Sequence, residues 1–260
     1  MSHFLLAIIS QENADIDKIM EPFNEALEVE PYVAKTKRQL IKNARAYYKA
    51  SLSYYIEKKE EMSGEVGDVI KEMKKLMNMT DSELYEYEKQ KYDDEDFDRD
   101  GNLISIYNPN PKYDWYEIGG RWSDLLELKR KNKKGNPIKV NQAKIKDINF
   151  EPNEETYKEA LEFWENYVEG KNPSASHAGY LLYKPEYYLE KFKTKENYAK
   201  ETACFKTYAV ITPDGEWHEE GEMLMFGVST NEEEGWVANY KKRFLDNNEN
   251  LMITIVDCHI

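Results

Sequence analysis

The chain has 260 residues and a formal charge of −14, which excludes non-specific binding of nucleic acid or anionic membrane by its surface as a whole but leaves local basic patches open. Its two cysteines, Cys204 and Cys258, are too few for a disulfide scaffold or a thiolate metal cage, and imply a reducing compartment. No apolar run reaches the roughly 18 to 20 residues that span a bilayer, and Met1–Ser10 lacks the basic flank and cleavage site of a leader, so an intracellular protein is expected, with one domain carrying a large insertion or two small domains.

Phe4–Ile9 is a short apolar run with polar borders, the pattern of a central strand buried on both faces. Asn13–Leu27 has weak helical spacing that Pro22 ends. From Thr36 to Met62 the helical signal is strong, with Leu40, Ala44, Tyr47, Tyr48, Leu52, Tyr55 and Ile56 at spacings of three and four. Its first half carries Lys35, Lys37, Arg38, Lys42, Arg45 and Lys49 with no acid among them, a basic face flanked by tyrosines inside an acidic protein. Gly64 and Gly67 interrupt, and Val66 to Met77 predicts a second helix. Thr80-Asp81-Ser82-Glu83 is a capping box opening a third. Asp98–Asn102 reads as a tight turn into a strand at Leu103–Tyr107.

Tyr107–Trp122 concentrates prolines, tryptophans, tyrosines, the Gly119-Gly120 pair and Arg121. Pro109 and Pro111 bias Asn108 and Asn110 toward extended geometry, and the glycines permit positive φ or close backbone approach, so a rigid extended segment and turn is expected. Trp122–Leu128 reads as a strand or short helix. Lys129–Lys146, holding Lys129, Arg130, Lys131, Lys133 and Lys134, reads as a solvated basic loop. Asn153–Glu169 is helical, Asn172–Gly179 a small-residue loop with His177, and a helix is expected from Pro185. Near the end, Phe205–Ile211 and Met223–Val228 read as a hairpin, Asn231 as the cap of a helix through Trp236, Tyr240 and Phe244, and Leu251–Val256 as a closing strand. The order predicts an α+β fold: a split ferredoxin-like βαββαβ sheet formed by both termini (1–33 and 201–260), with a large, mostly helical insertion (34–200) containing the aromatic segment.

Met1-Ser2-His3-Phe4, Pro22-Phe23-Asn24, the Asn-Pro-Asn, Asp-Trp-Tyr and Gly-Gly-Arg-Trp groups between Tyr107 and Trp122, Asp214-Gly215-Glu216-Trp217 and Val256-Asp257-Cys258-His259-Ile260 together resemble a family of largely uncharacterised proteins encoded by bacteriophages. This chain departs from the pattern with Tyr113 where a Trp is common. The resemblance implies phage origin and an accessory role in the cytoplasm of the infected bacterial host; it implies no reaction.

Several residue groups invite a chemical reading. Asp96, Asp98, Asp100 and Gly101 match the first half of a calcium loop, but Tyr107 stands where a bidentate Glu is needed, which favours an acidic hairpin turn. His3, Asp257, Cys258 and His259, with His218, are competent zinc ligands, yet neighbours on a strand face opposite sides, so structural histidines are preferred and neither metal nor cofactor is expected. No nucleophile elbow or phosphate loop is present, and an enzyme is not expected. The leading expectation is a non-enzymatic accessory protein that binds and inhibits a bacterial defence complex, either a host defence protein or a ribonucleoprotein, in the manner of an anti-CRISPR protein. Arg121, Tyr113 and Trp115 are its candidate partner-binding residues, although burial of Trp115, Ile118 and Trp122 as a core plug is the favoured role for those rings. The alternatives are an RNA-binding protein, using the basic residues above with Tyr48 as a stacking ring, and a small metal-dependent enzyme built on the terminal His and Cys residues.

Overall fold

The computed structural model describes residues 2–57, 66–172, 183–223 and 229–260. In chain order the elements are β1 (His3–Ser10), α1 (Ile16–Met20), β2 (Glu28–Lys35), α2 (Lys37–Glu57), α3 (Val66–Asn78), α4 (Asp81–Lys89), β3 (Leu103–Tyr107), β4 (Trp115–Ile118), β5 (Leu126–Lys131), β6 (Pro137–Val140), β7 (Gln142–Lys144), α5 (Glu154–Phe163), α6 (Pro185–Phe192), α7 (Lys195–Ala203), β8 (Ala209–Ile211), β9 (Trp217–Glu219), β10 (Glu222–Met223), β11 (Ser229–Thr230), α8 (Trp236–Tyr240) and β12 (Met252–His259). The expected loop around His177, the end of the first long helix beyond Glu57, and most of the expected strand Met223–Val228 lie outside the described residues.

The chain folds into two compact units, Met1–Asn24 with Lys112–Ile260, and Glu25–Pro111. The boundaries expected at 33/34 and 200/201 therefore move, because the chain from Lys112 onward belongs with the first and last strands. Among the described residues no helix is long and apolar enough to cross a membrane.

The larger unit is built on a mixed six-stranded sheet in the order β4-β12-β1-β8-β9, with β7 beside β4 on the same edge of β12. β1 is central, as its uninterrupted apolar run requires. It pairs antiparallel with β12 along its whole length, His3 opposite His259 and Ser10 opposite Met252. The period of two sends Phe4, Leu6 and Ile8 to one face, against Met20 and Phe23, and Ala7 and Ile9 to the other, against Trp236, Tyr240 and Phe244. Full burial of each Leu, Ile, Phe or Met among them contributes on the order of 1.5–3 kcal/mol. On the second face Tyr240 Oη lies 2.6 Å from Thr207 Oγ1, and Trp236 Nε1 donates to Thr207 O, which satisfies the polar tips of two buried rings.

The α+β class holds, and the sheet joins the first and last strands. A split βαβ would place another strand between its two parallel ones, whereas β1 and β8 are direct parallel neighbours (Leu6 with Ala209, Ile8 with Ile211), so the ferredoxin-like register is not the one observed. The late hairpin differs too: β8 pairs with β9 across the Asp214-Gly215 turn. Asn231 does not cap the last helix, since Gly235, left-handed at φ 78°, precedes Trp236. The expected loop at Lys129–Lys146 is instead the hairpin β5–β6 followed by β7, because Leu126, Leu128, Ile138 and Val140 alternate inward onto the core.

The smaller unit pairs β2 with β3 and packs α2 against α3 and α4 around Leu40, Ala44, Tyr48, Leu76, Leu84 and Tyr85. The Thr80–Glu83 capping box forms as expected. Asp98 folds the turn before β3 by accepting from the N–H groups of Asp100 and Asn102, and those bonds hold its carboxyl below the ordinary carboxylate range. Asp96 accepts from the Asp93 N–H, so two of the three alternate carboxylates are engaged with backbone.

Candidate functional site

The cross-strand register sets three side chains in a row at the end of the sheet: His3 on β1 faces His259 on β12, which faces Trp115 on β4. Directly opposite residues of antiparallel strands share a face, so the three rings meet. The His3 and His259 rings are 5.0 Å apart and edge to face, while Trp115 stacks on His259 at 5.3 Å with an interplanar angle of 15°. Asp257, two residues before His259, shares this face, whereas Cys258 turns to the opposite core.

Each histidine is held by its own carboxylate. His3 Nδ1 donates to Asp257 Oδ1 at 2.7 Å, between residues 254 positions apart. His259 Nδ1 is 2.7 Å from both oxygens of Asp114, which sits just before β4 and whose N–H donates to His259 O. A carboxylate on Nδ1 fixes the tautomer and leaves Nε2 as the working nitrogen. Among the described residues no hydrogen-bond partner meets either Nε2. The His259 side chain is buried at 8% exposure and the His3 side chain is partly buried at 11%.

The Gly-Gly-Arg-Trp turn supplies the other half of the site. Asp257 Oδ2 accepts the Arg121 N–H at 3.0 Å. Gly120 has φ +47°, and a Cβ there would come within 2.4 Å of the Asp257 Cβ; at Gly119, φ +78°, it would strike the Asn141 side chain. Both glycines are thus required by close approach and by backbone sign together. Arg121 is exposed, and its guanidinium has no ion pair among the described residues. It lines an open groove with Leu5, the partner of Asp257 across β1 and β12, and with Leu126, Glu127 and Lys139 at the base of the β5–β6 hairpin.

Of the expected partner-binding residues, Arg121 and Trp115 reach the surface. Trp115 is 44% exposed and Ile118 46%, so neither is a core plug; only Trp122 packs on the core. Tyr113 is withdrawn from that role: at 3% exposure it lies in the core beside Phe23 and Cys258, where burial raises its phenol pKa. Cys258 does not share a face with the two histidines: it lies in the far core, where burial raises its thiol pKa. His218 sits on β9 beside Thr212 and Arg243. Among the described residues no group of three ligands could hold a metal.

The expected nucleic-acid residues separate into two sets on different units. On α2, Arg45 is committed to Asp81 and to the carbonyls of Met77 and Met79, Lys37 lies 4.1 Å over the Tyr85 ring, and Tyr48 is buried, donating to Glu88 and accepting from Lys91. Tyr48 therefore offers no stacking face; the exposed Tyr47 and Tyr54 do. Lys35, Arg38, Lys42 and Lys49 remain exposed. On the β5–β6 hairpin, Lys129 donates to Lys146 O, and Arg130, Lys131, Lys133 and Lys134 are exposed with no ion pair among the described residues.

Asp114 is not singled out by the sequence as a site residue. It stands 145 residues from His259, and the Asp-Trp-Tyr motif is the signal that marks it. Comparison with protein-family models, curated proteins and solved structures finds no match.

Proposed function

We propose that this chain is a phage-encoded accessory protein that engages a component of a bacterial defence system in the cytoplasm of the infected cell, through the face carrying Trp115 and Arg121. One observation carries the reading: the register of β1, β12 and β4 brings His3 and His259, which belong to the motifs that resemble phage proteins, against the exposed Trp115 of the Asp-Trp-Tyr group, and the Arg121 N–H of the Gly-Gly-Arg-Trp group donates to Asp257 beside them. This end of the sheet combines a half-exposed Trp with an exposed Arg that has no ion pair among the described residues, the residue types that dominate binding hot spots. Capture from lysate of a defended host with the wild-type chain, and with Trp115→Ala and Arg121→Glu, tests it. The reading expects a defence component that the wild type retains and both variants lose, with phage protection lost in parallel; equal retention by the variants overturns it.

A second reading, RNA binding, is favoured by the exposed cations of the β5–β6 hairpin. The lack of a local catalytic pattern in the sequence speaks for a non-enzymatic protein, and the paired histidines reopen that question.

A further inference from the structure

We infer that the paired histidines form a general acid-base site that cleaves single-stranded RNA by internal transesterification. The inference goes beyond the binding reading and needs no host protein. Two imidazoles with centroids 5.0 Å apart are each fixed through Nδ1 by a carboxylate, and among the described residues neither Nε2 has a hydrogen-bond partner. Such a pair supplies a base and an acid to a single displacement.

The two rings differ in their surroundings: His259 stacks on Trp115 with Nδ1 2.7 Å from both oxygens of Asp114, whereas His3 meets Trp115 edge-on with Nδ1 on one oxygen of Asp257. One imidazole serves as base and the other as acid. Asp257 and Asp114 hold the imidazoles, Glu117 lies opposite Asp257 on β4, and Arg121, whose N–H donates to Asp257 Oδ2 and whose side chain is exposed, is assigned as the phosphate-binding group. Trp115 is the stacking platform for an unpaired base. The β5–β6 hairpin, whose base lines the same groove as Arg121, adds Arg130, Lys131, Lys133 and Lys134 for backbone attraction within an otherwise acidic chain.

In the reaction one Nε2 takes the proton of a ribose 2′-hydroxyl as O2′ bonds to phosphorus. The bond from phosphorus to O5′ breaks, and the proton on the other Nε2 passes to O5′. The products are a 2′,3′-cyclic phosphate and a 5′-hydroxyl, and exchange with water restores the two protonation states. No oxidant, reductant or further reactant is required. Asp257 and Asp114 are positioning residues.

The test incubates the purified full chain, without metal, with an end-labelled mixed-sequence single-stranded RNA and with its 2′-deoxy counterpart, from pH 5 to pH 8. Expected are cyclic-phosphate ends from the RNA alone, a bell-shaped rate profile, and a loss of about 100-fold or more in each of His3→Gln and His259→Gln. Asp114→Asn is expected to retain part of the rate with an altered limb of the profile. Intact RNA at stoichiometric protein overturns the inference, as does equal cutting of the deoxy strand. Cutting that persists unchanged in both histidine variants overturns it by assigning the activity to a contaminant. Product chemistry and the deoxy control do not depend on any variant folding.

Discussion

The basic face of α2 and the paired histidines at the sheet end are opposites in how their parts are assembled. The α2 residues are contiguous in sequence, and much of their chemistry is consumed internally: Arg45 ties down the turn between α3 and α4, Lys37 rests on Tyr85, and Tyr48 is buried between Glu88 and Lys91. The histidine site is gathered from positions as far apart as His3 and Asp257, yet among the described residues its Nε2 atoms have no hydrogen-bond partner, the Arg121 side chain has no ion pair, and Trp115 stays 44% exposed. Charge density along a helix marks places where a fold can find partners. Chemistry that remains unspent after folding is the stronger sign of function.

The largest break in that contrast is expected at Gly120. Gly120→Val adds a Cβ that collides with Asp257 and a β-branched residue at φ +47°. Strain and overpacking together are expected to cost on the order of 3 kcal/mol or more, read as a lower denaturation midpoint. Gly67→Ala, in the helix α3 where a Cβ meets nothing within 4 Å, is expected to be neutral or stabilising. Equal midpoints for Gly120→Val and wild type would show that the turn does not clamp Asp257.

Much of the fold is legible in the sequence because it is local. The apolar run of β1, the Thr80 capping box and the spacing along α2 report on residues within a few positions of one another, and each element forms. Pairing partners are not local. Nothing in Trp115–Ile118 announces that it joins β12, which is why the aromatic segment reads as part of an insertion and Trp115 as part of a core. Likewise Lys129–Lys146 reads as basic loop until the inward alternation of Leu126, Leu128, Ile138 and Val140 is weighed above its charges. The site is half visible: His3, Asp257 and His259 stand out as ligand types, and strand geometry alone separates them from Cys258, whereas Asp114 requires the register of β4.

On the helical side, Arg45→Ala should be the costliest change to a basic residue. It removes donors to two backbone carbonyls and to Asp81, and leaves those carbonyls partly unsatisfied, about 2 kcal/mol. Urea unfolding followed by far-ultraviolet circular dichroism reads it. A change below about 0.5 kcal/mol would return Arg45 to the pool of free surface cations.

Tyr48→Phe is expected to cost about 1 kcal/mol at neutral pH, because Lys91 continues to satisfy Glu88. It also carries a pH signature. Burial first, then the Glu88 hydrogen bond, raises the Tyr48 pKa above its ordinary value. The unfolded chain therefore loses this proton first, so the stabilisation is complete below about pH 10 and is lost as pH rises toward the folded value. Unfolding midpoints from pH 8 to pH 11.5 should fall more steeply in wild type than in Tyr48→Phe; parallel curves would mean the phenol is solvated.

The smallest expected effect is the sharpest test of the contrast. Lys42→Ala and Arg38→Ala remove exposed cations whose side chains have no ion pair among the described residues, so each should shift stability by less than about 0.5 kcal/mol. Their consequence for RNA binding then separates the two regions without interference from folding. If the β5–β6 hairpin and Arg121 make the phosphate contacts, these variants leave the salt dependence of binding unchanged, while Arg130→Ala and Lys133→Ala each lower its logarithmic slope by about 0.7. The reverse pattern would move the interface to α2 and leave the histidines as struts of the sheet.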